Sequence, residues 1–210
     1  MAFIRQPTVA VASSENREQR EQDRDVTSLM TQLQDSDPAV RRWAARDLSC
    51  APEATAALVA QLYCETDKSV RQVILTSLTR LGNDIAVAGL VSWLRSEDTE
   101  MRNEAIEAMK VLTDEVAPIM SGLLMDDDSD VRIMAINVLE SLRHPDVEQW
   151  LIEVIERDSV VNVCGTALDL LSELGTVASK DAVLRLRLRF ADEAYIQFAA
   201  NLALKRIGEA

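Results

Sequence analysis

DKSVRQVILTSLTRLG, residues Asp67 to Gly82, reads as one amphipathic helix, and its pattern organises the rest of the chain. With Val70 as position zero, apolar residues fall at plus four, plus eight and plus eleven (Ile74, Leu78, Leu81), a single stripe on a helix of 3.6 residues per turn. Asp67 stands three residues earlier as a cap, Arg71 follows position zero, and Gly82 closes the helix. The same spacing recurs around Val40 (Ala44, Leu48), Met101 (Ala105, Met109, Leu112), Val131 (Ala135, Leu139, Leu142), Val163 (Ala167, Leu171, Leu174, then Gly175) and Ile196 (Ala200, Leu204, Ile207, then Gly208). Centres roughly 30 to 33 residues apart lie in the range of stacked helical repeats.

A second apolar helix precedes each of these, over Val26 to Leu33, Ala54 to Tyr63, Ile85 to Leu94, Val116 to Leu124, Val147 to Ile155 and Ala178 to Leu188. Their apolar residues recur at three and four, as in Val147, Leu151 and Val154. One hairpin of two such helices cannot bury its apolar face alone. Stacking buries it, so the expected fold is all-α, an α-solenoid of about six hairpins spanning residues 25–210.

Residues 1–24 read as a separate tail. MAFIRQPTVAVASS lacks the long apolar core of a signal peptide. SENREQREQDRD, which follows it from Ser14 to Asp25, has the composition of a flexible segment or a helical lead-in. Phe3 and Ile4 could alternatively form a short docking peptide. Acids outnumber Lys plus Arg by 35 to 22, a formal charge of −13, which argues against duplex nucleic acid and against an anionic membrane surface as partners. No stretch approaches the roughly 18 apolar residues of a membrane span. Cys50, Cys64 and Cys164 lack metal-ligand spacing and read as free buried thiols in a reducing compartment, the cytoplasm.

An acid and an arginine recur in register in four successive units: Asp37 with Arg41, Asp67 with Arg71, Asp98 with Arg102, and Asp128 with Arg132. Each Asp can cap its helix, and each Arg can reach the capping acid of its own or a neighbouring unit, giving a structural ladder of alternating rungs. The ladder breaks at the fifth unit, where the two places hold Val160 and Cys164. Glu193 and Gln197 follow in the sixth, so the regular polar seam is expected to stop after the fourth unit. The break is either a divergent terminal cap or a site.

Chemistry has little to draw on. His144, the one histidine, sits in LRHPD and reads as a turn residue. The run Asp126 to Asp130 lacks the glycine and the final glutamate of a calcium loop. No catalytic, cofactor or metal site is therefore expected. Positions plus two, six and nine point away from the helix stripe and are expected to line one face. They run from Arg42 and Arg46 through Gln72, Asn103, Ile133 and Asn137 to Gly165, Asp169 and Ser172, then Phe198, Leu202 and Lys205. Any helix needs a polar outer side, but exposed apolar residues beside amides also make a protein-binding strip. Trp43, Trp93 and Trp150 read as core or inter-repeat packing.

DPAVRRWAARDL from Asp37, DKSVRQVILTSLTRLG from Asp67 and DSDVRIMAINVLESL from Asp128 resemble the short bacterial HEAT repeats of phycobilisome-lyase HEAT-like type. The resemblance spans about residues 25 to 208 and implies a right-handed superhelix used as a scaffold or adaptor for a protein partner. Bilin lyases of this class handle tetrapyrroles, and His144 and the scattered cysteines form no recognisable site for that. HEAT-like DNA glycosylases present a basic groove, which this face lacks. RRWAARDL and LRHPDVEQWLIEV also resemble bacterial proteins that accompany chemosensory signalling genes. The resulting expectation is a non-enzymatic adaptor. A tetrapyrrole-handling accessory factor and a structural spacer are the alternatives.

Overall fold

The structure, a computed structural model, describes residues 25–209. Twelve α-helices and no strands make up the described chain. The leading helices of the hairpins are α1 (Val26–Gln32), α3 (Thr55–Cys64), α5 (Asp84–Trp93), α7 (Thr113–Leu123), α9 (Val147–Arg157) and α11 (Lys180–Arg189). The second helices are α2 (Pro38–Asp47), α4 (Lys68–Leu81), α6 (Thr99–Val111), α8 (Ser129–Leu139), α10 (Val161–Leu174) and α12 (Ala194–Glu209). The fold class is an all-α solenoid of HEAT-like hairpins. The tail proposed for residues 1–24, with Phe3 and Ile4, lies outside the described residues.

Two compact units divide between Ala86 and Val87. In the first, α4 packs on α2 and α3. The buried Ser77 hydroxyl donates to the Ala45 carbonyl at 2.8 Å and locks α4 to α2. In the second, α8 packs on α6, α10 on α8 and α12 on α10, while α11 packs on α9. Position plus four is fully buried throughout, by Ala44, Ile74, Ala105, Ala135, Ala167 and Ala200. Alanine in five of these six places lets the second helices approach closely, with no side-chain entropy to lose.

The stripe departs from expectation in places. Val40 and Met101 are only half-buried, and in α12 it is Ala203 that is buried while Leu204 is half-exposed. Gly82 ends α4 with φ 55°, in the left-handed region, and its N–H donates to the Leu78 carbonyl at 2.9 Å. Gly175 follows α10 in extended conformation, and α12 runs through Gly208 to Glu209, so neither glycine makes the left-handed stop.

Enlarging a plus-four residue should strain this contact. Ala167→Leu is expected to cost ~1–3 kcal/mol, read as a lower urea midpoint, whereas Asp127→Ala, an exposed turn change, should leave the midpoint within about 0.5 kcal/mol of wild type.

Candidate protein-binding face

Recurring side chains build the first four hairpin turns. The capping aspartates accept helix N–H groups: Asp37 from Ala39 at 2.9 Å, Asp67 from Ser69 at 2.8 Å, Asp98 from Glu100 at 2.8 Å and Asp128 from Asp130 at 2.9 Å. Two residues before each cap, a further side chain accepts the cap's own N–H. These are Asp35, Glu65, Ser96 and Asp126, and Asp158 does the same for Val160. The arginines complete the turn from the opposite side. Arg41, Arg102 and Arg132 each direct Nη1 onto two turn carbonyls, at 2.8 and 3.1 Å, 2.7 and 3.2 Å, and 2.7 and 3.3 Å.

The rungs join different residues from those expected. Arg41 grips Glu65 with two bonds of 2.7 Å, and Arg132 grips Asp158 at 2.6 and 3.1 Å. The partner is thus the acid two places before the next cap, and not the capping Asp. The E-x-D spacing of Glu65 and Asp67 carried that signal for the first rung, whereas Asp158 precedes Val160 and has no such mark. Arg102 instead bonds Thr99 Oγ1 at 3.1 Å, while Asp126 pairs with Arg95. Arg71 is buried and engaged. Arg41 and the N–H groups around Glu65 hold that carboxyl down from the usual 4.5 to about 2, against the opposing effect of burial.

The regular register of aspartate and arginine ends after the fourth unit, and residues outside it close the fifth and sixth turns. Arg189, at the end of α11, reaches the carbonyls of Ile155, Glu156 and Asp158 at 2.8, 2.6 and 2.8 Å, and Cys164 Sγ at 3.5 Å. Cys164 itself donates to the Asp158 carbonyl at 3.3 Å, and burial pushes its thiol pKa up. In the sixth unit Gln197 takes the arginine's part, donating to the carbonyls of Arg187 and Phe190 at 2.8 and 3.0 Å.

In the first unit, Arg42, Arg46 and Gln72 are exposed. Trp43 is 53% exposed, with the Arg46 guanidinium 5.3 Å from its ring, so this tryptophan is a surface residue and not core. Trp93 is buried, and Trp150 is half-buried against the His144 ring at 4.9 Å. In the second unit, Asn103 is exposed and Ile133 and Asn137 are half-buried. Asn137 opens on a cleft of about 220 Å³ shared with Glu140, Asp169 and Glu173, so the face is acidic there. Phe198 is 68% exposed and Leu202 half-buried.

Gly165, Asp169 and Ser172 are not an open rung. A Cβ on Gly165 would lie 2.5 Å from Tyr195 Cε1, and the Tyr195 hydroxyl donates to Asp169. That bond pushes the Tyr195 pKa up to about 12. Arg206 donates to the Ser172 carbonyl and hydroxyl, both at 3.3 Å. A separate cleft of about 360 Å³ is lined by Met125, Arg132, Trp150 and Arg157. Two of the three thiols differ from expectation, because Cys50 and Cys64 are exposed. His144 is a turn residue whose Nδ1 accepts the Asp146 N–H at 3.2 Å. Among the described residues no group of three or more His, Cys, Asp or Glu could hold a metal ion, and no helix is long and apolar enough to cross a membrane.

HEAT repeats match residues 26–110 and 116–205, most of the chain. The chain belongs to the HEAT-repeat family. It is similar to the bilin biosynthesis protein PecE of Mastigocladus laminosus, with 30% identity over 149 residues, 69% of this chain and 55% of that protein. PecE of a Nostoc species (strain PCC 7120) is 36% identical over 75 residues, 35% of this chain and 30% of that protein. The chain spans about half or less of the length of the curated relatives it matches. Among solved structures, an archaeal HEAT-like repeat protein from Thermococcus onnurineus NA1 aligns over 88% of this chain and 87% of its own, at 17% identity and a TM-score of 0.47. The complex of CpcE and CpcF of phycocyanin lyase from Nostoc sp. PCC7120 aligns over 87% of this chain and 94% of that chain, at 19% and 0.37. Neither likeness bears on function.

Two outcomes follow for this HEAT protein. The Glu65 carboxyl titrates lower in the folded chain than in the unfolded one, so its stabilisation is complete above pH 4.5 and is lost as pH falls through about 2. Glu65→Gln should lower stability at pH 7 by about 2 kcal/mol and remove that part of the acid limb in pH-dependent urea unfolding. Gly165→Ala should cost ~1–3 kcal/mol by displacing Tyr195, and the cost should largely vanish in a Tyr195→Ala background, measured as a double-mutant cycle.

Proposed function

We propose that this HEAT protein is a non-enzymatic scaffold that holds a protein partner on the outer sides of its second helices. The observation that supports it is the pair of large aromatic side chains left in solvent there, Trp43 beside Arg42 and Arg46 in the first unit and Phe198 beside Leu202 in the second. Exposed aromatics and arginines are the side chains that dominate binding energy at protein interfaces. The hairpins beneath them are fixed by buried stripes and clasped turns, so a partner would meet a preorganised surface. The chemosensory resemblance suggests that the partner is a signalling protein.

The similarity to PecE favours a second reading, an accessory factor in handling a bilin or another tetrapyrrole. Affinity capture from native cells separates the two. Under the scaffold reading one defined partner is recovered, and Phe198→Asp or Arg46→Glu weakens its binding by about tenfold or more with helicity unchanged. An unaltered partner list in both variants would contradict that reading. Chromophore carried by the purified protein, or passed by it to an acceptor protein, would establish the second one instead.

A further inference from the structure

We propose that the outer face shared by α2 and α4 is the docking site for an acidic segment of a partner protein, held by Arg42, Arg46 and Arg80 around the Trp43 ring. This rests on the scaffold reading and specifies the chemistry of the partner.

The two helices present one face because of how they are joined. The buried Ser77 hydroxyl bonds the Ala45 carbonyl at 2.8 Å, and the residues next to that bond, Thr76 and Arg46, are both exposed. Arg42 stands one turn before Arg46 and Arg80 one turn after Thr76, again in solvent. The Arg46 guanidinium rests 5.3 Å from the centre of the exposed Trp43 ring. Among the described residues, the guanidinium groups of Arg42, Arg46 and Arg80 have no hydrogen-bond acceptor and no carboxylate partner. Arg41, Arg102 and Arg132, by contrast, are committed to the turns. In a chain with 35 acids to 22 Lys or Arg, such unpaired arginines do not reflect a shortage of carboxylates.

Acids are also kept off this face. α4 contains no Asp or Glu, whereas every other second helix has at least one. α2 has only Asp47, about 100° round the helix from Arg46. Acids at the adjoining turns are already engaged: Asp35, Asp37 and Asp67 accept backbone N–H groups, and Glu65 is gripped by Arg41. Arg42 and Arg46 lie about 6 Å apart along the axis of α2, close to the spacing of alternate residues in an extended chain. Carboxylates two places apart in an extended segment can therefore each meet one guanidinium with two bonds. Trp43 gives that segment an apolar edge to lie against. Two copies of this face would set like charges together, which disfavours self-pairing through it.

The test places the photo-crosslinking residue p-benzoylphenylalanine at position 43, at position 76 and, for comparison, at position 198, each in the full chain expressed in its native cells. Mass spectrometry then locates the adducts. Positions 43 and 76 are expected to crosslink to the same protein, on one net-negative stretch with carboxylates two places apart. A synthetic peptide of that stretch should bind the purified full chain, and about tenfold more weakly after Arg42→Glu, Arg46→Glu or Arg80→Glu with helicity unchanged. Its affinity should also fall by about tenfold or more between low salt and about 1 M salt, where charges are screened beyond about 3 Å. Adducts on a neutral or basic stretch, on residues 1–24 of this chain, on a second copy or on nucleic acid would overturn the proposal. So would a peptide that binds the charge-reversed chains unchanged. Adducts on a protein from position 198 alone would overturn it and leave the scaffold reading standing, and no protein adduct from any of the three positions would overturn both.

Discussion

A turn between two antiparallel helices leaves its own carbonyls and the N–H groups at the start of the second helix without helical partners, and each must be met by something else. In this HEAT protein a guanidinium meets the carbonyls while two side chains meet the N–H groups. Arg41, Arg102 and Arg132 do the first with one amino group each. The remaining guanidinium nitrogens of Arg41 and Arg132 then grip an acid of the following hairpin. One residue thus closes its own turn and ties two hairpins together. Because Glu65 and Asp158 are withdrawn from water at these grips, loss of the arginine would leave a buried carboxylate uncompensated.

The fifth and sixth hairpins meet the same requirement with different residues. Cys164 cannot cover the turn carbonyls as an arginine does, and Arg189 from the next leading helix reaches in to cover them. Gln197 supplies a shorter amide in the sixth. The need to pair buried backbone groups is thus conserved in space although the residue register is not. What differs outwardly is the helix surface: Gly165 admits Tyr195, whereas the equivalent Phe198 stands in solvent.

The hairpins, their caps and the plus-four alanines were legible because helical periodicity survives in any single repeat and the repetition multiplies the signal. The rungs were less so. A sequence displays Asp37 and Arg41 side by side, but the choice between a capping Asp and the acid two places earlier depends on where the long guanidinium can reach across the stack. Arg189 was harder still, since it serves a turn more than thirty residues away and lies outside the repeating register. Trp43 and Phe198 follow the same logic: their spacing gives the side of the helix, while their exposure depends on which helix lies against that side.

The grip between hairpins is tested most directly by a double-mutant cycle on Arg132→Ala and Asp158→Ala, followed by urea unfolding at neutral pH. Both side chains are largely buried, 13% and 8% exposed, and make two bonds to one another. A coupling energy of ~1.5–3 kcal/mol is predicted for a charged, two-point contact withdrawn from solvent. Additive effects, with coupling near zero, would contradict the account and leave apolar burial alone to hold the hairpins together.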